Sequence, residues 1–298
     1  MITETAKPDK IKSWILASRP KTLPAAIAPV IIGSSLAAND ETFSLVSAII
    51  ALLCSLLIQI GTNFTNDLYD FLSGADKKDR PGPARVLASG YISINEMKAG
   101  IAIVFGTAFL LGLYLVWLGG FPVLVIGILS ILAGMAYTAG PYPLAYNGLG
   151  DVFVFIFFGL VATIGTYYVQ AFTVTTFSLL AAVPMGALIT NILVVNNYRD
   201  SDDDRAAGKR TTAVIFGKSF AKVQYIVLLL LSYSVPVISY FYYKHDMWIL
   251  LPLLTIPVAF RLIKMLFTCK GRELNDMLAL TAKLSVIYSV LFSAGILA

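Results

Sequence analysis

The chain has 298 residues, 58% of them hydrophobic and only 13% charged, with a mean hydropathy of +0.80. That balance excludes a water-soluble globule, because so few polar side chains cannot cover a surface facing water. A net charge of +5 would hint at nucleic acid in a soluble protein, but the topology argued below accounts for it, and no nucleic-acid partner is expected.

Reading from the N-terminus, Trp14 with Ile11 and Ile15 forms a short interfacial lead-in to the first apolar run. That run covers 22 to 38, and others follow at 43 to 64, 97 to 118, 121 to 138, 149 to 171, 177 to 197, 223 to 243, 247 to 267 and 279 to 297. Each is near the roughly 20 residues that cross a hydrocarbon core as a helix. None alternates with the two-residue period of a barrel strand, so lipid requires helices here. The expected fold is therefore all-α, with nine transmembrane helices in one domain covering 1–298. The first run has a basic flank and a cleavage-like Ser35-Leu36-Ala37-Ala38. Pro24 and Pro29 interrupt it and Glu4 and Asp9 precede it, so it reads as a retained span rather than a signal peptide.

Lys and Arg stay preferentially on the cytoplasmic side. Nine spans starting inside place 21 of the 22 basic residues there and leave only Lys244 outside. The N-terminus is thus expected inside and the C-terminus outside. Cys54 falls within the second span and Cys269 on the inner face, so no structural disulfide is expected. The only histidine, His245, lies in an outer loop, which excludes His-based triads and His-rich metal sites.

Outer connections are short, as at Gly119-Gly120. Two inner ones, 65 to 96 and 198 to 221, are long, polar and rich in both signs of charge, which marks them as functional. The first carries Asn63, Asn66, Asp67 and Asp70 at its approach, then Asp76, Asp79, Arg80 and Arg85. The second carries Asn197, Arg199, Asp200, Asp202, Asp203 and Asp204, then Lys209 and Arg210. Both follow an even-numbered span and share one membrane face, with a weak hint of an internal repeat.

Asp67 and Asp70 are three apart and Asp200 and Asp204 four apart, so each pair shares a helical face. Like charges so placed repel unless a cation lies between them. Mg²⁺ takes hard oxygens, one or two carboxylates per ion, and completes its octahedron with phosphates and water. Facing pairs would suit Mg²⁺ ions gripping a diphosphate, with Asp76 and the amide oxygens of Asn63, Asn66 and Asn197 as further ligands. Arg80, Arg85, Arg199, Lys209 and Arg210 are the expected partners of phosphate oxygens. Lys77, Lys78, Lys218 and Lys222 read instead as topological anchors, and Asp202 and Asp203 as solvated.

These residues resemble a known family. Asn66-Asp67-Leu68-Tyr69-Asp70 and Asp200 to Asp204 resemble the two Asp-rich motifs of the UbiA superfamily of intramembrane prenyltransferases. Ser18 to Pro24, Gly82 to Arg85, Tyr137 to Pro141, Gly148 to Asp151, Gly165 to Gln170 and Asp204 to Thr211 resemble its dihydroxynaphthoate branch in menaquinone biosynthesis. The likeness runs along nearly the whole chain. In one departure, Gly74 stands where the general pattern has a third Asp, and Asp76 arrives two positions later.

The resemblance implies nine helices around a central cavity capped by two Asp-rich cytoplasmic loops, in the bacterial cytoplasmic membrane. It implies transfer of a polyprenyl group from polyprenyl diphosphate to 1,4-dihydroxy-2-naphthoate, with Mg²⁺ as cofactor and loss of CO₂ and diphosphate, giving a demethylmenaquinone. Asp67, Asp70, Asp200 and Asp204 would be catalytic through the metal, and Arg19 and Lys21 would contact diphosphate. Tyr69, Tyr137, Tyr142, Tyr167 and Tyr198 are candidates to stabilise an allyl cation, against the simpler reading of an interfacial tyrosine belt. Asp151 is a candidate for acceptor binding, against a plain helix-start acid. Two alternatives stay open: another acceptor such as 4-hydroxybenzoate or homogentisate, and a membrane transporter, which would be expected to keep its acids near the midplane.

Overall fold

Residues 8–74 and 85–298 are described by the computed structural model, and among them every regular element is helical. Helix α1 is Lys10–Ser18, α2 Pro24–Asn39, α3 Leu45–Leu72, α4 Ile94–Gly119 and α5 Phe121–Ala136. They are followed by α6 Gly150–Ala171, α7 Thr176–Ala206, α8 Gly217–Tyr242, α9 Met247–Thr268 and α10 Gly271–Leu297. Among the described residues seven helices, α3, α4 and α6 to α10, are long and apolar enough to cross a bilayer, which makes the chain an integral membrane protein. An eighth span is possible if the pair Lys10–Thr22 and Pro24–Asn39, bent by 55°, counts as one. The expected count of nine is not reached on these criteria, because α5 has only 16 residues. At about 1.5 Å per residue it is some 24 Å long, short of a ~30 Å core.

Local chemistry explains where the helices begin and end. Ser93 and Glu96 close a capping box at the start of α4, and Thr175 and Ser178 do the same for α7. At the other end, α3 and α7 run on past their apolar stretches through the acidic residues. They stop only where Gly74 and Gly208 take left-handed backbone angles, φ 72° and 76°. The two Asp-rich stretches therefore lie on the last turns of helices, not on loops as expected from their polarity. Nothing in either stretch breaks the backbone ladder before its glycine.

Helix α7 is the central post. Within its apolar stretch 78% of residues are buried, against 17% for α4, which faces lipid along most of its length. Gly159 of α6, within a π-helical turn at Phe155–Val161, meets Gly186 of α7 so closely that a Cβ would lie 2.5 Å from the Gly186 Cα. Packing of this kind replaces the hydrophobic drive that lipid cannot supply. On the other flank, Tyr288 of α10 donates to the Ser232 carbonyl of α8 at 2.6 Å, and Tyr225 of α8 bonds Thr281 of α10 at 3.0 Å. Each buried hydroxyl thus has a partner where water is absent.

Candidate functional site

The inner turns of α3 present one buried polar face. Asn63, Asn66, Asp67 and Asp70 are all buried, whereas Tyr69, on the opposite face, is exposed. Arg85 reaches back from the far side of the connection and sets its guanidinium between the two acids, 2.9 Å from Asp70 and 3.7 Å from Asp67. The Leu87 amide donates to Asp67 at 3.4 Å. The Thr138 hydroxyl donates to the Asn66 side-chain oxygen at 2.8 Å, and the Asn63 amide donates to the Ser18 carbonyl at 2.9 Å. The latter bond ties α1 to the site. Asp76 and Arg80 lie outside the described residues.

The second acidic stretch meets the first through the turn that follows α7. Lys209 places its ammonium 2.7 Å from Asp70 Oδ1, and the Tyr146 hydroxyl donates to the same oxygen at 2.8 Å. The Tyr146 ring lies 4.7 Å from that ammonium, and its carbonyl accepts from the Arg210 amide at 3.0 Å. One tyrosine therefore joins the α5–α6 connection, the α7–α8 turn and the acid on α3. Tyr146 was not among the residues singled out from sequence, because a lone Tyr in a loop is indistinguishable there from a membrane-interface aromatic.

Asp200 is held by Arg199, which donates from Nε to Oδ1 at 2.7 Å and from Nη2 to Oδ2 at 2.8 Å. The same guanidinium donates to Asn275 of α10 at 2.6 Å and Asn196 at 2.7 Å. Arg199, expected from its position as a phosphate partner, thus has its guanidinium engaged by Asp200, Asn196 and Asn275. Asp204 is buried nearby, and Asp202 is exposed and paired with Lys218 at 2.8 Å, as a solvated acid should be.

Asp151 is buried at the start of α6, where Thr212 donates to it at 2.5 Å, Gln224 at 2.9 Å and Asn197 at 3.4 Å. Since the Asn197 amide points at Asp151, this acid links α6 to α7, α8 and the turn carrying Lys209. The Tyr137 phenol lies within electrostatic reach of Asp151, Asp70, Asp204 and Arg19, and Asp67 within reach of Arg19. Six charge-bearing or polar candidates from five separate stretches thereby share one neighbourhood. Arg19 itself has a left-handed backbone, φ 50°, at the break between α1 and the next turn.

Other candidates are not brought in. Tyr142 is 61% exposed, and Lys21 and Arg210 have exposed side chains with no acid paired to them among the described residues. The Tyr198 ring packs toward α8 with the Lys222 ammonium 5.7 Å from its centroid. Tyr167 is buried at the other end of α6, about 24 Å from Asp151 by helical rise, and donates to Asp40. Tyr69 and Tyr142 are thus exposed and Tyr167 lies at the far end of α6, so among the described residues these three candidates are not brought to the acidic cluster.

The donor set fits Mg²⁺. Among the described residues Asp67 Oδ1 is buried with no hydrogen-bond partner, with the Arg85 guanidinium 3.7 Å away, and the carboxylate and amide oxygens beside it are hard ligands. Among the described residues no three His, Cys, Asp or Glu side chains converge to enclose an ion by themselves. Carboxylate pairs of this kind leave several coordination positions for a ligand's phosphate oxygens.

Beside the charged cluster an apolar chamber extends between α3, α4, α5 and α6, with Gln59, Thr62 and Tyr137 at its inner end and Val123 and Val169 at its outer end.

Residues 26–287 match the UbiA prenyltransferase family. The chain is 35% identical to the 1,4-dihydroxy-2-naphthoate octaprenyltransferase of Haemophilus influenzae, with 97% of each chain aligned. It is also 35% identical to the protein of that name from Escherichia coli, over 96% of each. In three dimensions it resembles a UbiA homologue from Archaeoglobus fulgidus solved with GPP and Mg²⁺, with a TM-score of 0.69, 15% identity, and 96% and 100% of the two chains covered. At that identity the likeness speaks for the fold.

Proposed function

The chain belongs to the UbiA prenyltransferase family, and on that premise we propose that it transfers a polyprenyl group from polyprenyl diphosphate to 1,4-dihydroxy-2-naphthoate. The naphthoate is the acceptor named for its 35% identical relatives, which align end to end with this chain. The observation that carries the chemistry is the junction of the two acidic helix ends, made by the Asp70–Lys209 contact at 2.7 Å.

In this reading Asp67, Asp70, Asp200 and Asp204 hold Mg²⁺, with the amide oxygens of Asn63, Asn66 and Asn197 close by. Bound there with a diphosphate, the metal supplies positive charge to the departing oxygens. Arg85 and Lys209, which neutralise Asp67 and Asp70, would exchange these acids for the phosphate oxygens of a bound diphosphate. Arg as a fork and Lys as a point charge are both suited to that exchange. Arg199 keeps Asp200 in a fixed rotamer, so the site loses little order on binding.

The allylic carbon–oxygen bond breaks with its electron pair going to diphosphate, and a carbon of the electron-rich naphthoate ring bonds to the allyl carbon. The ring carboxylate leaves as CO₂ and its bonding pair returns to the ring. These steps consume no oxidant, so the immediate product stands at the hydroquinone level of demethylmenaquinone. The Tyr137 ring, between the charged cluster and the apolar chamber, presents a face to the allyl cation. The apolar walls keep out water that would quench it.

The membrane is the bacterial cytoplasmic membrane in this reading, with the acidic helix ends facing the cytoplasm, the side that the Lys and Arg distribution favours. Purified protein incubated with Mg²⁺ and octaprenyl diphosphate should release diphosphate and CO₂ with 1,4-dihydroxy-2-naphthoate. It should do so far more slowly with 4-hydroxybenzoate or homogentisate. A preference for either of the latter would overturn the assignment of acceptor.

A further inference from the structure

We propose that Gly127 and Gly165 determine how long a polyprenyl tail the protein accepts, by keeping open the outer half of the chamber between α3, α4, α5 and α6. The inference rests on the reading above and extends it from the reacting end of the substrate to its tail.

Glycine is the poorest non-proline former of a helix interior, so each one in a span calls for a reason. For several the reason is close packing. A Cβ on Gly33 would lie 2.4 Å from the Thr163 carbonyl oxygen, and one on Gly134 would lie 2.4 Å from the Thr62 hydroxyl. Gly127 and Gly165 are different: both line the chamber, and a Cβ on either meets no atom within 4 Å. Neither neighbouring helix nor backbone angle demands glycine there. What their missing side chains leave is space inside the chamber.

The occupant follows from continuity. At its inner end the chamber is bounded by Tyr137, whose phenol is within electrostatic reach of Asp70, Asp204, Asp151 and Arg19. A ligand with a polyanionic head and an apolar tail matches that sequence of surroundings from end to end. Gly127 lies about 15 Å along α5 from Tyr137, and Gly165 about 21 Å along α6 from Asp151, by helical rise. A short tail ends before that depth, whereas a long tail must pass both glycines. A second apolar groove, between α2, α3 and the end of α10, is lined by Phe43, Leu52, Ser293 and Leu297 and includes none of the charged cluster.

The test compares geranyl and octaprenyl diphosphate as donors to 1,4-dihydroxy-2-naphthoate, for the wild type and for Gly127→Leu and Gly165→Leu. Each variant should keep kcat/KM for geranyl diphosphate within about twofold and lose on the order of tenfold or more for octaprenyl diphosphate. Equal losses for both donors, or no loss for either, would overturn the proposal. If the leucine variants fail to fold, an octaprenyl diphosphate carrying a photoreactive group at its terminal isoprene decides the matter on wild-type protein. Cross-links near Gly127 and Gly165 support the proposal, and cross-links confined to Ser293 and Leu297 overturn it. Failure of the wild type to use any diphosphate, with cross-links still at Gly127 and Gly165, would count against the enzymatic reading and leave the tail site standing.

Discussion

Lys209 and Asp70, 139 positions apart in the chain, meet at 2.7 Å with side chains only 12% and 3% exposed. This contact is where the two acidic stretches become one site. Lys209→Met removes a charged hydrogen bond that the reading assigns first to Asp70 and then to diphosphate. A hydrogen bond to a charged group contributes about 1.5–3 kcal/mol, so kcat/KM for the diphosphate should fall roughly 10- to 100-fold. Steady-state kinetics would reveal it, and an unchanged KM for the diphosphate would count against the phosphate role.

Asp67→Ala or Asp200→Ala should abolish turnover, lowering the rate by at least about 100-fold. Arg85 keeps its 2.9 Å bond to Asp70 in the first variant, so no buried cation is left alone and the helical fold should persist. Activity and thermal unfolding measured on the same preparations separate the two effects. Most of the wild-type rate surviving in either variant at saturating Mg²⁺ would remove these acids from the mechanism.

Chelation should silence the wild type, and Mg²⁺ should restore it. Among the described residues no protein-only ligand cage exists, so metal affinity should be weak alone and strengthen with diphosphate present. Titration calorimetry with Mg²⁺, with and without inorganic diphosphate, checks this coupling. Equal affinity in both conditions would contradict it.

Tyr146→Phe deletes one hydroxyl that bonds Asp70 at 2.8 Å while leaving the ring beside Lys209. A loss of about tenfold or somewhat more in kcat/KM is expected, with little change in stability. Tyr146→Ala, which also removes the ring, should lose more. Indistinguishable kinetics for the two variants would place the role in the hydroxyl alone.

Orientation is open to labelling. In a background lacking Cys54 and Cys269, single cysteines at Lys98 and Lys218 should react with impermeant reagent only from the cytoplasmic side, and one at Lys244 only from outside. The reverse pattern would invert the topology inferred from charge.

How much of this was legible in the residues differs by level. Asp67, Asp70, Asp200 and Asp204 stood out because charge in a chain this apolar is costly, and acids at a membrane face are not needed to set topology. Their pairing on helical faces was readable from spacing alone. That they ride on helix ends was not, since polarity suggests a loop, and the outcome turned on where Gly74 and Gly208 allow a left-handed turn. Arg199 illustrates a different limit. Its position next to Asp200 says nothing about direction, and only the presence of Asn275 on α10 shows that its guanidinium is spent on holding the acid.

Composition and local pattern by themselves determined that the chain lives in a bilayer, that it is helical, and which acids are the candidates for chemistry, because those properties follow from solvent and from neighbours a few residues away. Tertiary structure alone decided that Tyr146 and Asp151 knit the site together, that Tyr167 sits some 24 Å away from it by helical rise, and that an apolar chamber adjoins the charges. Contacts between distant segments depend on how whole helices pack and rotate against one another, and side-chain direction across a bundle has no counterpart in linear spacing.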